Sequence, residues 1–346
     1  MLTRILNRLR LTNYVLQHGR LPIQDFRTVP TITDDEIAEC RSFFPLEKFF
    51  IFGHARSGTT LLTRLIRLHP EVHCNYQGHF FTRPPTLEGL VNRLEIEDWF
   101  TRRSNRWNRG RDLSPVVLRA VSDFIMEREA RPMGVKVVGD KSPNSLLDGE
   151  AVQLARKVYP DGKIIFIVRD GRDAAVSHRF QSFIDATQHL NKQDWAIREA
   201  FERDPEPFLR GERSIFTEDA IQNAAHGWLK NVSETVEMGE KLYKDQFTTL
   251  RYEELLAQPW EQMRYLWDFL GVRTDFQELP EILLAELESN PDKDWQKQKA
   301  GDLISPLEKG KSGSWRDLFT LRDRQVFKDV AGELLISWKY ETAADW

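Results

Sequence analysis

The stretch "FFIFGHARSGTTLLTRLI", Phe49 to Ile66, decides the fold class. An apolar run ends at Gly53, a short turn follows, and a helical pattern opens at Thr59. Gly53 and Gly58 have the spacing of a phosphate-binding loop, G-x-x-x-x-G-K-[ST], but Thr59 stands where that loop carries lysine. The first N–H groups of a helix have no intrahelical partners, and the helix dipole is positive there, so such a turn binds anions without the lysine. Arg56 supplies a permanent charge with a planar fork of donors, and Ser57, Thr59 and Thr60 supply hydroxyls. The missing lysine argues against ATP hydrolysis or kinase chemistry, where it is a central transition-state charge.

The rest of the chain repeats this alternation. "KFFIFG" (Lys48–Gly53), "VKVVG" (Val135–Gly139), "KIIFIV" (Lys163–Val168) and "TTLRY" (Thr248–Tyr252) read as short buried strands. Helical patterns fall at Asn144–Val158, Asp173–Phe183, Ile221–Leu242 and Glu261–Phe269. The expected fold is α/β, with a parallel central sheet flanked by helices in a P-loop-like arrangement. The 346 residues read as a single domain (1–346), with residues 1–46 as an N-terminal extension and 71–134 as an irregular, polar and aromatic cap that walls the acceptor. Residues 289–320, rich in charge, Gly, Ser and Pro, read as a long functional loop.

Composition narrows the function. A net charge of −4 excludes a general nucleic-acid binder, so any anion site is built locally. Two cysteines, Cys40 and Cys74, are too few for a disulfide framework; they read as buried thiols in a reducing cytoplasm. No run of about 18 apolar residues predicts a transmembrane helix. Leu2, Ile5, Leu6 and Leu9 share a helical face, which suits docking on the protein's own domain or, as a second reading, peripheral membrane contact through residues 1–20.

Three further motifs point at anions. In "IIFIVRDGRDAAVS" (Ile164–Ser177) a strand ends at Val168, where ligands of parallel sheets bind, so Arg169 and Ser177 are placed to grip an anion; the plainer alternative pairs Arg169 with Asp170 or Asp173. "GDKSPNSL" (Gly139–Leu146) points Lys141 into the same crevice. "EKGKSGSWRDLFT" (Glu308–Thr320) is a basic glycine-rich loop carrying Lys309, Gly310 and Lys311. "EDWFTRRSNRWNRGRD" (Glu97–Asp112) interleaves five arginines with Trp99 and Trp107; its plainer reading is a solvated surface with the two aromatics packed underneath, and its alternative a stacking face for a sugar or an anion.

Together these motifs resemble the sulfotransferases that use 3′-phosphoadenosine 5′-phosphosulfate (PAPS), from Lys48 to about Thr320. The resemblance implies that "GHARSGTT" binds the 5′-phosphosulfate and that Arg169 and Ser177 bind the 3′-phosphate. It implies that Lys141 is catalytic, that Tyr252 lies beside the co-substrate, and that Lys309, Gly310 and Lys311 close over it. The expected reaction is in-line sulfuryl transfer to a hydroxyl or amine of a small-molecule or glycan acceptor, releasing adenosine 3′,5′-bisphosphate, with no metal required. Arg56 and Lys141 would stabilise charge on the bridging oxygen. Two departures stand out. Glu308 replaces an arginine usual in the cytosolic branch. The tyrosine-modifying branch has a catalytic glutamate soon after its "HPEV" segment, whereas "HPEVHCNYQGHFF" offers Asn75, Tyr76 and Gln77. His79 is then the first candidate for the base, with His54 and Asp140 as rivals; His178 and His226 read as packed or capping residues. The alternatives are an atypical nucleotide-dependent kinase and a catalytically silent PAPS-binding protein.

Overall fold

A computed structural model describes residues 12–13, 15–16, 27–104, 106–289, 312–343 and 346. Five strands form one parallel sheet: β1 (Glu47–Gly53), β2 (Val72–Tyr76), β3 (Val137–Lys141), β4 (Lys163–Val168) and β5 (Phe247–Arg251), in the order β2-β3-β1-β4-β5. After its first residue, every position of β1 is buried, as a strand between two neighbours and two layers of helix must be.

Alternation along β1 builds two cores. Phe50 and Phe52 face one side with Val138, Ile164 and Phe166, under the helices Ser114–Ala130, Glu150–Val158 and Glu218–Tyr243. Phe49 and Ile51 face the other with Val137, Ile165 and Ile167, under Thr59–Ile66, Pro259–Leu270 and Leu279–Glu288. Strand order reverses at β1, with β3 on one flank and β4 on the other. The carboxyl ends of these three strands therefore bound a crevice, the usual place for a ligand in an open α/β sheet.

At the opposite end of the sheet lies a buried ion network that sequence patterning hides. Lys48 Nζ sits 2.7 Å from Glu127 and 3.4 Å from Asp123, and Arg119 bonds Asp123 at 2.9 Å and Asp161 at 2.7 Å. It ties the helix Ser114–Ala130 to β1 and to the turn before β4, far from the strands' carboxyl ends. Arg41 also pairs with Asp161 and Arg131 with Glu127, so every carboxylate of the network has a cationic partner and it reads as a structural device.

Several expectations need correction. Residues 71–134 are less irregular than expected: they contain β2 and the helix Ser114–Ala130, whose Leu118 and Met126 belong to the main core. β2 escaped notice because it is a short edge strand with only its first three residues buried. β3 starts at Val137 and runs through Lys141, so the lysine ends the strand rather than following it. Asn144 is not helical; it bridges His54, and the helix starts at Glu150. Tyr252 opens a helix instead of ending β5. Trp99 and Trp107 are not packed underneath: they are 55% and 48% exposed and lie against each other with ring centroids 4.8 Å apart. His178 and His226 are exposed rather than packed. Among the described residues no helix is long and apolar enough to cross a membrane. Cys40 and Cys74 are both buried free thiols.

Candidate active site

The loop between β1 and the helix Thr59–Ile66 is held tightly from outside. Gly58 caps that helix with φ +90°, a left-handed conformation that side chains rarely adopt. A Cβ on Gly58 would lie 2.3 Å from the Tyr252 ring. Tyr252 in turn packs under the Arg169 guanidinium, whose centre lies 4.8 Å from the ring centroid. Arg169 donates to the Arg56 carbonyl at 3.2 Å, and its own carbonyl accepts from Trp228 Nε1 at 3.0 Å. The phosphate-type loop and the end of β4 are thus one unit. Gly58→Ala is expected to combine left-handed backbone strain with overpacking against Tyr252 and to destabilise the protein by about 2 kcal/mol or more, read as a fall in Tm. An unchanged Tm would mean that Tyr252 is free to move aside.

Several features of this unit suit an anion. Arg56 Nε donates to Ser177 Oγ at 3.1 Å, so the loop's charge leans towards the helix Gly171–Asp185. Burial lowers the Arg56 pKa, and the neighbouring Arg169 lowers it further, as expected of two like charges brought close. Ser57 is fully buried, yet its Oγ has no hydrogen-bond partner among the described residues. No side chain caps the helix that starts at Thr59. Two converging guanidiniums, an orphaned hydroxyl and an uncapped helix start fit a nucleotide carrying phosphate or sulfate.

Lys141 approaches from the other flank. It is 1% exposed, and its Nζ lies 3.2 Å from Thr60 Oγ1 and 5.3 Å from the centroid of Tyr76. Burial lowers its pKa, while Cys74 and Asp140 pull the other way. Among the described residues it makes no salt bridge, which leaves its charge available to a ligand beside Thr60.

The turn Gln77–His79 is pinned to the end of β3. Gln77 N donates to the Lys141 carbonyl at 2.6 Å, Gly78 N to Asp140 Oδ1 at 2.8 Å, and His79 N to Ser142 Oγ at 2.8 Å. Ser142 Oγ donates in turn to Asp140 Oδ2 at 2.5 Å. Burial pushes the Asp140 carboxyl up to about 6 despite these bonds. His79 Nδ1 lies 3.0 Å from Thr82 Oγ1. Burial, with Arg83 and Lys141 nearby, lowers the His79 pKa below the ordinary value. His54 is a poorer candidate. Burial holds its imidazole down to about 4, too weak a base at neutral pH, and its bridge to Asn144 ties it to the fold.

The structure therefore brings Arg56, Ser57, Gly58, Thr59, Thr60, Arg169, Ser177 and Tyr252 together around one loop, with Lys141 beside Thr60 and His79 on the adjoining turn. Lys309, Gly310 and Lys311 lie outside the described residues. A cleft of about 340 Å³ adjoins the loop through His54 and Ala55 and is lined on its far side by His178, Ser182 and Asn223. Sequence reasoning did not single it out, because much of its wall is small residues of two helices distant in the chain, Gly171–Asp185 and Glu218–Tyr243. It also missed that Asp170 caps the helix Gly171–Asp185 and that its neighbours grip a distant segment, described below.

A family model described as "Sulfotransferase family" matches residues 48–277. Protein-tyrosine sulfotransferase A of Caenorhabditis elegans is 26% identical over 231 residues, 65% of this chain and 50% of that protein. The protein-tyrosine sulfotransferase of Drosophila melanogaster is 24% identical over 257 residues, 73% of this chain and 44% of that protein. The chain thus spans about half the length of the curated relatives it matches. Among solved structures, mouse sulfotransferase SULT7A1 complexed with PAP aligns at 18% identity with a TM-score of 0.47, covering 88% of this chain and 90% of that one. A sulfotransferase from Alicyclobacillus acidocaldarius aligns at 20% identity with a TM-score of 0.41, covering 78% and 98%.

Proposed function

The chain belongs to the sulfotransferase family, and from that premise we propose that it transfers a sulfuryl group from PAPS to an acceptor oxygen or nitrogen and releases adenosine 3′,5′-bisphosphate. The observation that carries the reading is the convergence of Arg56, Arg169 and Ser177 on one side of an uncapped helix start, with Lys141 on the other. In this reading Ser57, Gly58, Thr59 and Thr60 hold the 5′ group, and Arg169 and Ser177 hold the 3′-phosphate with Lys309, Gly310 and Lys311. Tyr252 lies against the nucleotide.

The chemistry asks little covalent work of the protein. The acceptor attacks sulfur, the S–O bond to the bisphosphate breaks, and negative charge gathers on the departing oxygen. Arg56 and Lys141 are the positive groups placed to stabilise it, and His79 is the group placed to take the acceptor proton. Sulfate carries less charge than a terminal phosphate, so two fixed cations can serve where phosphoryl transfer uses a metal.

Two acceptor classes fit. The names of the curated relatives favour a phenolic hydroxyl on a peptide. Asn75, Tyr76 and Gln77, at the end of β2, offer no carboxylate there, which favours a small-molecule or glycan acceptor of the kind the cleft beside His54 could hold. A reducing, cytoplasmic setting is part of this proposal, supported by the two buried free thiols. The test is transfer of label from PAPS to alcohols, phenols, glycans, amines and tyrosine peptides with no metal added. Label transferred to any of them supports the reading and names the class. Tight binding of the bisphosphate with no transfer to any class would instead indicate a silent nucleotide-binding protein.

A further inference from the structure

Between Arg169 and Ser177 the sequence reads "DGRDAAV", and its charged side chains turn away from the crevice to hold residues from the far end of the chain. Asp173, 1% exposed, accepts from Gly313 N at 2.6 Å and from Trp315 N at 3.1 Å. Arg172, fully buried, has its guanidinium carbon 3.7 Å from the centroid of the Trp315 ring and 4.6 Å from that of Trp346. Asp170 receives Arg172 Nε at 2.9 Å and Nη2 at 2.7 Å, and Glu341 takes Nη1. The backbone N–H of Asp170 donates to Glu253, the residue after Tyr252, at 3.1 Å.

A buried carboxylate is costly unless it is well bonded. Burial raises the Asp173 pKa, and the two backbone donors offset part of that cost. Each oxygen of the Asp173 carboxylate accepts from one N–H of the turn, which an amide with a single acceptor oxygen cannot reproduce. Gly313 has φ +90°, so this turn also has a demanding backbone conformation that an external anchor would help to hold.

We propose that Asp173 is a positioning residue for the 3′-phosphate grip: it seats the Gly313–Trp315 turn on the helix that carries Ser177, and Arg172 clamps that seat through Trp315. The inference rests on the nucleotide reading proposed above. It concerns the helix start that the seat and the grip share, because Arg169 and Ser177 flank Asp173 in sequence.

Electrostatics makes the proposal sharply testable, because charge and position pull in opposite directions. Asp173 lies in the field of Arg169, so neutralising it should strengthen anion binding if charge were its only role. A positioning role predicts weakening. The experiment is calorimetry of adenosine 3′,5′-bisphosphate and of AMP with the wild-type protein and Asp173→Asn, with Tm and hydrogen exchange at Gly313 and Trp315 measured in parallel. The expected result is a bisphosphate affinity at least tenfold weaker, an AMP affinity changed less than twofold, and faster exchange at both amides in a folded variant. Asp173→Glu keeps the charge but displaces the seat, so it should show the same selective loss; it also serves if Asp173→Asn fails to fold. Bisphosphate binding that is unchanged or tighter, or an equal loss for both nucleotides, overturns the proposal. A wild-type protein that binds the two nucleotides alike would overturn the nucleotide reading itself, and this inference with it.

Discussion

Lys141→Ala is expected to lower kcat by roughly 10²–10³-fold while leaving the affinity for adenosine 3′,5′-bisphosphate within a few-fold of wild type. Lys141 ends a strand buried along its whole length and is itself 1% exposed, so its ammonium is held by the sheet rather than by a loop. Its ammonium donates to the Thr60 hydroxyl, in the first turn of the helix that follows the phosphate-type loop. In the proposed reading Arg56 and Arg169 grip the resting nucleotide, and a fixed charge beside Thr60 would add little to that. It does most when the S–O bond lengthens and charge moves onto the departing oxygen. Lys141→Met keeps the buried methylenes and removes only the charge, so it should match the alanine variant in kcat and exceed it in Tm. Lys141→Arg should fail to rescue, because a planar guanidinium cannot occupy the slot between Thr60 and Tyr76 that a compact ammonium fills. Full activity in the alanine variant would remove Lys141 from the chemistry. A parallel collapse of bisphosphate binding would make it a ground-state ligand instead.

What the sequence revealed and what it hid follow from how far apart the cooperating residues lie. The phosphate-type loop was legible because strand, glycines and helix occupy fewer than twenty consecutive residues. The position of Arg169 was legible because it follows an uninterrupted apolar strand, and that of Lys141 because it lies just past the apolar run "VKVV", although the strand runs on to include it. The helix Ser114–Ala130 was not, since Arg119, Asp123 and Glu127 occupy core-facing positions where a pattern reader expects apolar residues. These charges are explained only by Lys48 and Asp161, far away in the chain. The same holds for Arg172 and Asp173. Within their own motif they look like surface charges, and their roles depend on Gly313, Trp315, Glu341 and Trp346. The plainer reading of Arg169 with Asp170 or Asp173 is modified in the same way: Asp170 serves Arg172, and Asp173, though in the field of Arg169, also serves the backbone of the distant turn.

The base presents a different problem, because two candidates meet where the turn Gln77–His79 is pinned to the end of β3. His79→Ala should cost about 10²-fold or more in kcat with a weakly acidic alcohol and much less with an acidic phenol, which ionises unaided. The pH dependence carries the sign. Burial and nearby cations hold the His79 pKa below 6.5, so the ring is neutral, and able to take a proton, above that folded-state value. Activity should therefore rise with pH along an acidic limb below 6.5 and then level off. Asp140, pushed up to about 6, would also give an acidic limb below 6.5, so the wild-type profile alone cannot choose between them. Variants can. If His79 is the base, His79→Ala loses the limb and Asp140→Asn keeps it, with a smaller loss in kcat from loosening the turn at Gly78 and Ser142. Geometry favours this outcome. Both oxygens of Asp140 are already engaged and the residue is 1% exposed, whereas His79 is only partly buried and uses Nδ1 towards Thr82, leaving Nε2 without a hydrogen bond among the described residues. Loss of the limb in Asp140→Asn, with the limb intact in His79→Ala, would transfer the role to the carboxylate and make His79 a wall of the acceptor site.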